Sequence, residues 1–272
     1  MNPRLAAWEA TTLPLSYART QTKLIANEIL IKIIFTIFSE RNLPNTMTKN
    51  QNKNKNILEL VFLSIALIIS FLFWDTYLVY PIKLFVVLIH EISHALSTIV
   101  SGGKVIVFNI GLDLGGKCET ENGNNILIAA SGYLGSLLFG LLIFYSTYNK
   151  KIGKWLLIIT AIIILITSVS LMQNTSLTLL AVLYSVLLFV SAFFLQIRID
   201  SYILKLFGLL SCIYVLFDIK EDILSTNSAI SDASILSDLI NVPTIVIGLI
   251  WLFISLAGIF LIMKISYVKK AK

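Results

Sequence analysis

The sequence predicts an all-α polytopic membrane protein with about six to seven transmembrane helices. Hydrophobic residues make up 57% of the 272 residues and charged residues 13%, about half the charged share of a soluble globular domain. The mean hydropathy is +0.88. The apolar residues also gather in runs close to the length of about 20 residues that crosses a bilayer as a helix. This pattern excludes a soluble globule and a disordered chain, and it makes the lipid bilayer the protein's surroundings.

Seven apolar runs are candidate spans, of which the sixth is short. They are 57–74, 81–100, 126–148, 155–172, 177–196, 202–217 and 245–263. Three crossings separate the basic stretch before residue 57 from the basic loop at 150–154. The Lys/Arg rule for cytoplasmic loops therefore cannot favour both, and the orientation stays open.

The net charge of +6 comes from 21 basic and 15 acidic residues, spread over termini and connectors. This distribution is typical of Lys and Arg that flank membrane spans, so no nucleic-acid partner is expected. The two cysteines, Cys118 and Cys212, lie far apart in the chain and predict no disulfide framework.

Residues 1–46 differ from the rest of the chain, with five basic residues and a weakly amphipathic run at 24–38. Two interpretations stand side by side. The segment is a targeting or surface-lying extension, or it is an upstream extension of the reading frame with Met47 as the working start. The membrane-embedded domain is expected to span 47–272.

The chemistry is concentrated in the second run. The chain's two histidines, His90 and His94, enclose Glu91 in the sequence H-E-I-S-H. On a helix, residues four apart share one face, so both imidazoles can reach one metal ion. Zinc lowers the pKa of a bound water towards neutrality, and a neighbouring carboxylate can take its proton as the water attacks a carbonyl. The motif therefore predicts a catalytic zinc site with Glu91 as general base.

The alternative is a purely structural group of hydrogen-bonding side chains. An ionised side chain at mid-membrane costs about 2.5–3.5 kcal/mol, so such residues usually mark function. The run 84–96 contains no Lys or Arg that could offset Glu91. A bound cation would compensate the carboxylate, which favours the metal site.

An H-E-x-x-H motif inside a hydrophobic span resembles the site-2 protease family of intramembrane zinc metallopeptidases. The segment 105–118 after the motif could form a short β-hairpin at the membrane surface, or an ordinary surface loop. In that family a strand next to the site is thought to hold the substrate in extended form. The third run carries Gly132-Tyr-Leu-Gly135 where typical members have Gly-Pro-x-x-Asn, so the roles of that Pro and Asn do not carry over. Small residues spaced like these, with Gly140 further along the run, predict close packing of helices.

The resemblance implies a third zinc ligand, an aspartate from a distant span, commonly in a Leu-Asp-Gly setting that this chain lacks. Asp232 is preferred, because Ser-Asp232-Ala begins an apolar helical pattern and resembles the Asp-Gly setting. Asp218 is the rival, and four crossings after Asn125 return it to the face where the His94 helix ends. Asp222 and Asp238 are expected to face solvent. Asp232 could also be a helix cap paired with Ser231.

A second ligand set is Glu119 or Glu121, which lie 25 and 27 residues beyond His94. This spacing occurs in metallopeptidases whose third ligand is glutamate. Their site normally belongs to a soluble helical domain, whereas the motif helix here is apolar.

The sequence therefore predicts an integral, multi-pass membrane zinc metalloendopeptidase. Its expected substrate is a peptide bond in or near the membrane segment of another transmembrane protein. The alternative function is a zinc-binding membrane protein without protease activity, such as a scaffold, chaperone or carrier. An intact Glu91 argues against it, because a structural site has no use for a water-activating base.

Overall fold

The computed structural model describes residues 49–73, 76–77, 79–194, 198–224 and 231–267. The chain divides into two units, Met1–Met47 and Thr48–Lys272, and every described residue belongs to the second. The predicted extension at 1–46 thus lies outside the described residues, as do Trp74 and Gln196 at the ends of two predicted spans.

The described part is mostly helical, with one antiparallel pair of strands. In chain order the elements are α1 (Lys49–Leu72), α2 (Tyr80–Val100), β1 (Lys104–Ile110), β2 (Gly116–Glu121), α3 (Asn125–Ser146), α4 (Lys150–Leu171), α5 (Thr175–Phe194), α6 (Arg198–Leu224), α7 (Asp232–Ile240) and α8 (Thr244–Tyr267).

Five of these helices are long and apolar enough to cross a membrane: α2, α3, α4, α5 and α8. The predicted class, a helical multi-pass membrane protein, is confirmed. The first and sixth predicted runs also form helices, α1 and α6, but their apolar parts are shorter, Ile57–Leu72 and Ser201–Phe217. The polar, Lys- and Asn-rich stretch before residue 57 forms the first turns of α1, which begins at Lys49.

The helix α2 is the most deeply buried of the five spans. Its side chains from Leu84 to Ile89 are all buried and join a core that includes residues of β1, α3, α6 and α8. By contrast, α4, α5 and α8 leave many large apolar side chains exposed, as expected for helices that face lipid. The motif helix therefore lies inside the bundle.

The predicted hairpin is present, and it runs back along α2. After α2 the chain reverses at Gly102, whose φ of 82° suits glycine, and the Gly103 N–H donates to the carbonyl of Thr98. At the far end of the hairpin, the carbonyl of Leu112 accepts a 2.5 Å hydrogen bond from the hydroxyl of Tyr80, the first residue of α2. The two strands thus lie beside the motif helix.

Glycines set the close approach of α3 to its neighbours. A Cβ on Gly135 would overlap Ser93 of α2, and Cβ atoms on Gly140 and Gly208 would meet α6 and α3 respectively. Small residues of this kind allow helix backbones to pack closely in membranes. The predicted packing role of the third run's glycines matches this arrangement.

Candidate metal centre

The two histidines share one face of α2, as their spacing predicts. Their ring centroids lie 4.7 Å apart at an interplanar angle of 73°. His94 is buried, and His90 is partly buried. Both rings face α3, where a Cβ on Gly132 would overlap the Nε2 atoms of His90 and His94.

The short helix α7 brings Asp232 to these rings. Ser231 is its N-cap, and Ser231 and Ser234 form a reciprocal capping box that satisfies the first backbone N–H groups. Asp232 is thereby free of the capping role that the sequence left open. Its Oδ2 lies 2.8 Å from Nε2 of His90 and 2.9 Å from Nε2 of His94.

Ligand atoms of His90, His94 and Asp232 lie within 4.8 Å of one another, an arrangement that could hold a metal ion. Two imidazoles and one carboxylate are a donor set that suits zinc. Nδ1 of His94 donates a 2.7 Å hydrogen bond to the carbonyl of Ile128. A neutral imidazole has only one N–H, so Nε2 then faces the Asp232 carboxylate with a lone pair. A divalent cation between these two acceptors removes the conflict, and the residues therefore fit a metal ion.

Glu91 lies on the same helix, between the two histidines. It is buried, at 7% exposure, and lines the same cavity as both rings and Asp232. Its carboxylate packs against Gly116, the first residue of β2, where a Cβ would overlap Oε1. The hairpin thus closes over the acid that the motif provides.

The centre opens into a cavity of about 610 Å³. Five consecutive residues of β2, 116–120, form one wall, and α3 and α7 contribute others. The register pairs Phe108 with Cys118 and Ile110 with Gly116, and both β1 side chains are buried in the core. The strand β2, which borders the cavity, is therefore held in place by its pairing with β1.

Negative charge accumulates at the centre. Burial raises the pKa of Asp232, but the two histidine rings beside its carboxylate outweigh it and hold that pKa below its usual range. Cys118 of β2 lies on the cavity wall. Burial first, and then the charges of Glu91 and Asp232, raise the pKa of its thiol to about 12. A cation at the centre would offset both carboxylates.

The other candidate ligands stand as follows. The structure describes the backbone of α6 at Asp218 and Asp222 but not their side chains. Asp218 as an alternative third ligand therefore stays a prediction. Asp238 is exposed on α7, as expected. Glu119 and Glu121 are exposed, and Glu119 pairs with Lys117 at 2.6 Å. Among the described residues, neither glutamate joins the group that could hold a metal.

Three features around the centre were not predicted from the sequence. Tyr133 packs edge-on against His90 and also contacts Trp251 of α8. Gly116 makes room for Glu91, and Ile128 accepts the hydrogen bond from His94. Only the small-residue pattern around Gly132 gave a signal, and it pointed to helix packing in general rather than to the histidines.

Comparison with known families agrees with this geometry. The family model described as Peptidase M50B-like matches residues 63–262, from α1 into α8 and across every residue of the centre. No individual curated protein and no solved structure matches the chain significantly. The matched stretch is most of the chain, and the predicted resemblance is confirmed: the protein belongs to the Peptidase M50B-like group of the site-2 protease family, and it is an integral multi-pass membrane protein.

Proposed function

We propose that this protein is an intramembrane zinc metalloendopeptidase that hydrolyses peptide bonds in or near the membrane segments of other proteins. The observation that carries the proposal is the convergence of His90, His94 and Asp232 beside Glu91, inside a membrane bundle and open to a cavity. Membership of a metallopeptidase family supports the same reaction class.

In this proposal His90, His94 and Asp232 hold the zinc ion. When bound, zinc supplies a Lewis acid that activates water and polarises the scissile carbonyl. The Ile128 carbonyl keeps the proton of His94 on Nδ1, so that Nε2 is the coordinating nitrogen. Asp232 brings a negative charge that complements the cation.

Glu91 is proposed as the general base. Its position next to His90 on the helix turns its carboxylate by about 100° from the first ligand, towards the β2 wall of the cavity. A carboxylate there can accept a proton from the attacking water and return it to the leaving amine.

The substrate is proposed to lie extended along β2. A helical membrane segment must unwind before its carbonyls become accessible, and the freed backbone groups then need partners. Residues 116–120 run along the cavity as a strand, and strand addition is a common way to bind an extended peptide. The resulting pairing would place a peptide bond next to Glu91, which contacts the start of this strand.

The competing function is zinc binding without proteolysis. Both functions require His90, His94 and Asp232, but only the peptidase requires the carboxylate of Glu91. Replacing that carboxylate by an amide of equal size therefore separates the two.

The first experiment measures zinc per chain in detergent-purified protein. The variants are Glu91→Gln, His94→Ala, Asp232→Ala and Asp218→Ala, with Asp238→Ala as a matched control on the exposed side of α7. We expect about one zinc per chain in the wild type, in Glu91→Gln and in Asp238→Ala, and loss in His94→Ala and Asp232→Ala. Loss in Asp218→Ala with retention in Asp232→Ala would make Asp218 the third ligand.

The second experiment follows cleavage of single-span test proteins placed in the same vesicles as the enzyme. Glu91→Gln should abolish cleavage while it keeps its zinc. A zinc-loaded wild type whose Glu91→Gln variant behaves identically in every assay would favour the non-proteolytic function. A wild type that binds no zinc under metal-replete conditions would refute the proposal altogether.

A further inference from the structure

The His90 ring has an aromatic neighbour that the motif does not include. Tyr133 of α3 lies against it with ring centroids 4.9 Å apart and an interplanar angle of 87°. This is the edge-to-face arrangement that aromatic pairs prefer. Tyr133 is 4% exposed and also lines the cavity.

A second aromatic ring supports Tyr133 from the other side. Trp251 of α8 lies 4.7 Å from the Tyr133 ring centroid, at an interplanar angle of 41°, and is 3% exposed. The three rings form a continuous row from α8 through α3 to α2. The row is notable because α8 is otherwise the least buried of the five spans.

The two histidines are thus oriented by one short part of α3 in two different ways. His94 donates to the backbone carbonyl of Ile128, next to the Ser131 hydroxyl. His90 is in edge-to-face contact with the Tyr133 ring. Gly132 lies between these positions and leaves room for both Nε2 atoms.

We propose that Tyr133, supported by Trp251, is a positioning residue that holds the His90 imidazole in its metal-binding orientation. The inference rests on the proposed zinc site and adds to it a support that consists of ring packing. Hydrogen-bonded groups around metal ligands fix the orientation of the ring, and their loss typically weakens metal binding by 10- to 100-fold. We expect loss of the ring packing at His90 to act in the same range. A bulky aromatic ring can orient an imidazole by packing in the apolar interior of a membrane protein, because its faces need no hydrogen-bond partner.

The test measures zinc affinity by competition with a chelator of known affinity, on folded protein in detergent. The variants are Tyr133→Phe, Tyr133→Leu, Trp251→Phe and Trp251→Leu. Phe85→Leu is the matched control, because Phe85 is a similarly buried aromatic on α2 that contacts Tyr184 and Phe207 edge-on and does not line the cavity. Melting temperatures are recorded for all of them, and the absorption spectrum of the cobalt-substituted protein reports ligand geometry.

We expect Tyr133→Leu to weaken zinc binding by about 10- to 100-fold and to change the cobalt spectrum. Trp251→Leu should have a smaller effect and weaken zinc binding by about tenfold. The phenylalanine variants keep a ring and should stay within about twofold of the wild type. Phe85→Leu should lower the melting temperature but leave zinc affinity within about twofold.

Three results would overturn the inference alone. Zinc affinity and cobalt spectrum could be unchanged in Tyr133→Leu, or Tyr133→Phe could lose zinc as strongly as Tyr133→Leu, which would assign the effect to the hydroxyl. Phe85→Leu could also weaken zinc as much as Tyr133→Leu, which would reduce the effect to general packing. A wild type that binds no zinc would instead refute the proposed function, and this inference with it.

Discussion

Gly116 and Glu91 are in direct contact, although 25 residues separate them in the chain. A Cβ at Gly116 would overlap Oε1, Cδ and Cγ of Glu91. The first residue of β2 therefore determines the space available to the carboxylate proposed as general base. The hairpin thus leaves room for the Glu91 carboxylate because Gly116 has no side chain.

The first prediction concerns Gly116→Ala. The added methyl must displace the Glu91 side chain or the strand, while the proposed ligands His90, His94 and Asp232 are left in place. We expect kcat to fall by about 10- to 100-fold, a size typical for a misplaced catalytic group, with zinc content unchanged. Cleavage of a membrane-reconstituted test protein and zinc analysis of the same sample measure the two effects.

Gly115→Ala is the matched control for this variant. A Cβ there would come within 3.3 Å of only one carboxylate oxygen of Asp113, and both residues are exposed. Equal losses of activity in the two variants would show that the hairpin responds to any added methyl, contrary to a specific role for Gly116.

The second prediction concerns Gly132→Ala. A Cβ at this position would overlap Nε2 of both His90 and His94, which are the proposed coordinating atoms. Zinc binding should therefore be lost, or weakened by more than about 100-fold. Gly258→Ala is the control, because its Cβ would meet only leucine side-chain methyls, at 3.0 Å and beyond. Normal zinc affinity in folded Gly132→Ala protein would contradict the assigned ligand geometry.

The membrane class and the histidine pair could be predicted from the sequence because both are local. A span needs a continuous apolar run, and His90 and His94 lie four residues apart on one helix. The start of α7 was also predicted, because Ser-Asp232-Ala begins an apolar helical pattern, and the structure places the N-cap at Ser231. The helix α1 begins at Lys49, earlier than the predicted run at 57. The prediction followed the apolar residues alone, and the polar stretch before residue 57 is helical as well.

The remaining parts of the centre depend on packing between distant segments. The direction of the hairpin follows from the backbone at Gly102, whose positive φ turns β1 back along α2. The rows of contacts from Gly116 to Glu91 and from Trp251 to His90 join residues that no local pattern links. The sequence could rank Asp232 ahead of Asp218 only by analogy, since side-chain convergence is a property of the folded bundle.

The third prediction concerns a buried ion pair away from the metal centre. Lys205 of α6 donates to Glu59 of α1, both are 8% exposed, and the Tyr267 hydroxyl donates a 2.7 Å hydrogen bond to the same Glu59 oxygen. Lys205→Met should lower the free energy of unfolding by about 3–5 kcal/mol, because it leaves a buried carboxylate without its cation. Denaturant unfolding in mixed micelles measures the change.

The double variant with Glu59→Gln and Lys205→Met should recover much of this loss, because no uncompensated charge remains. The exposed pair formed by Lys117 and Glu119 provides the comparison. There Lys117→Met should change the free energy of unfolding by less than about 1 kcal/mol. A double variant as unstable as Lys205→Met would show that packing of the lysine chain, rather than charge pairing, stabilises the contact.

The last prediction uses Cys118 as a probe of charge at the centre. Burial and the neighbouring carboxylates of Glu91 and Asp232 raise the pKa of its thiol to about 12, from an ordinary 9.0. A raised pKa keeps the thiol protonated, and only the thiolate reacts with alkylating agents. In metal-free protein with Cys212→Ala, the alkylation rate should therefore still rise about tenfold per pH unit between pH 8.5 and 10.5. Glu91→Gln removes one of the charges that raise this pKa, so it should speed alkylation at pH 9. A rate that levels off near pH 9 would show that the pKa of the Cys118 thiol is not raised, and an unchanged rate in Glu91→Gln would show that the thiol does not sense that carboxylate.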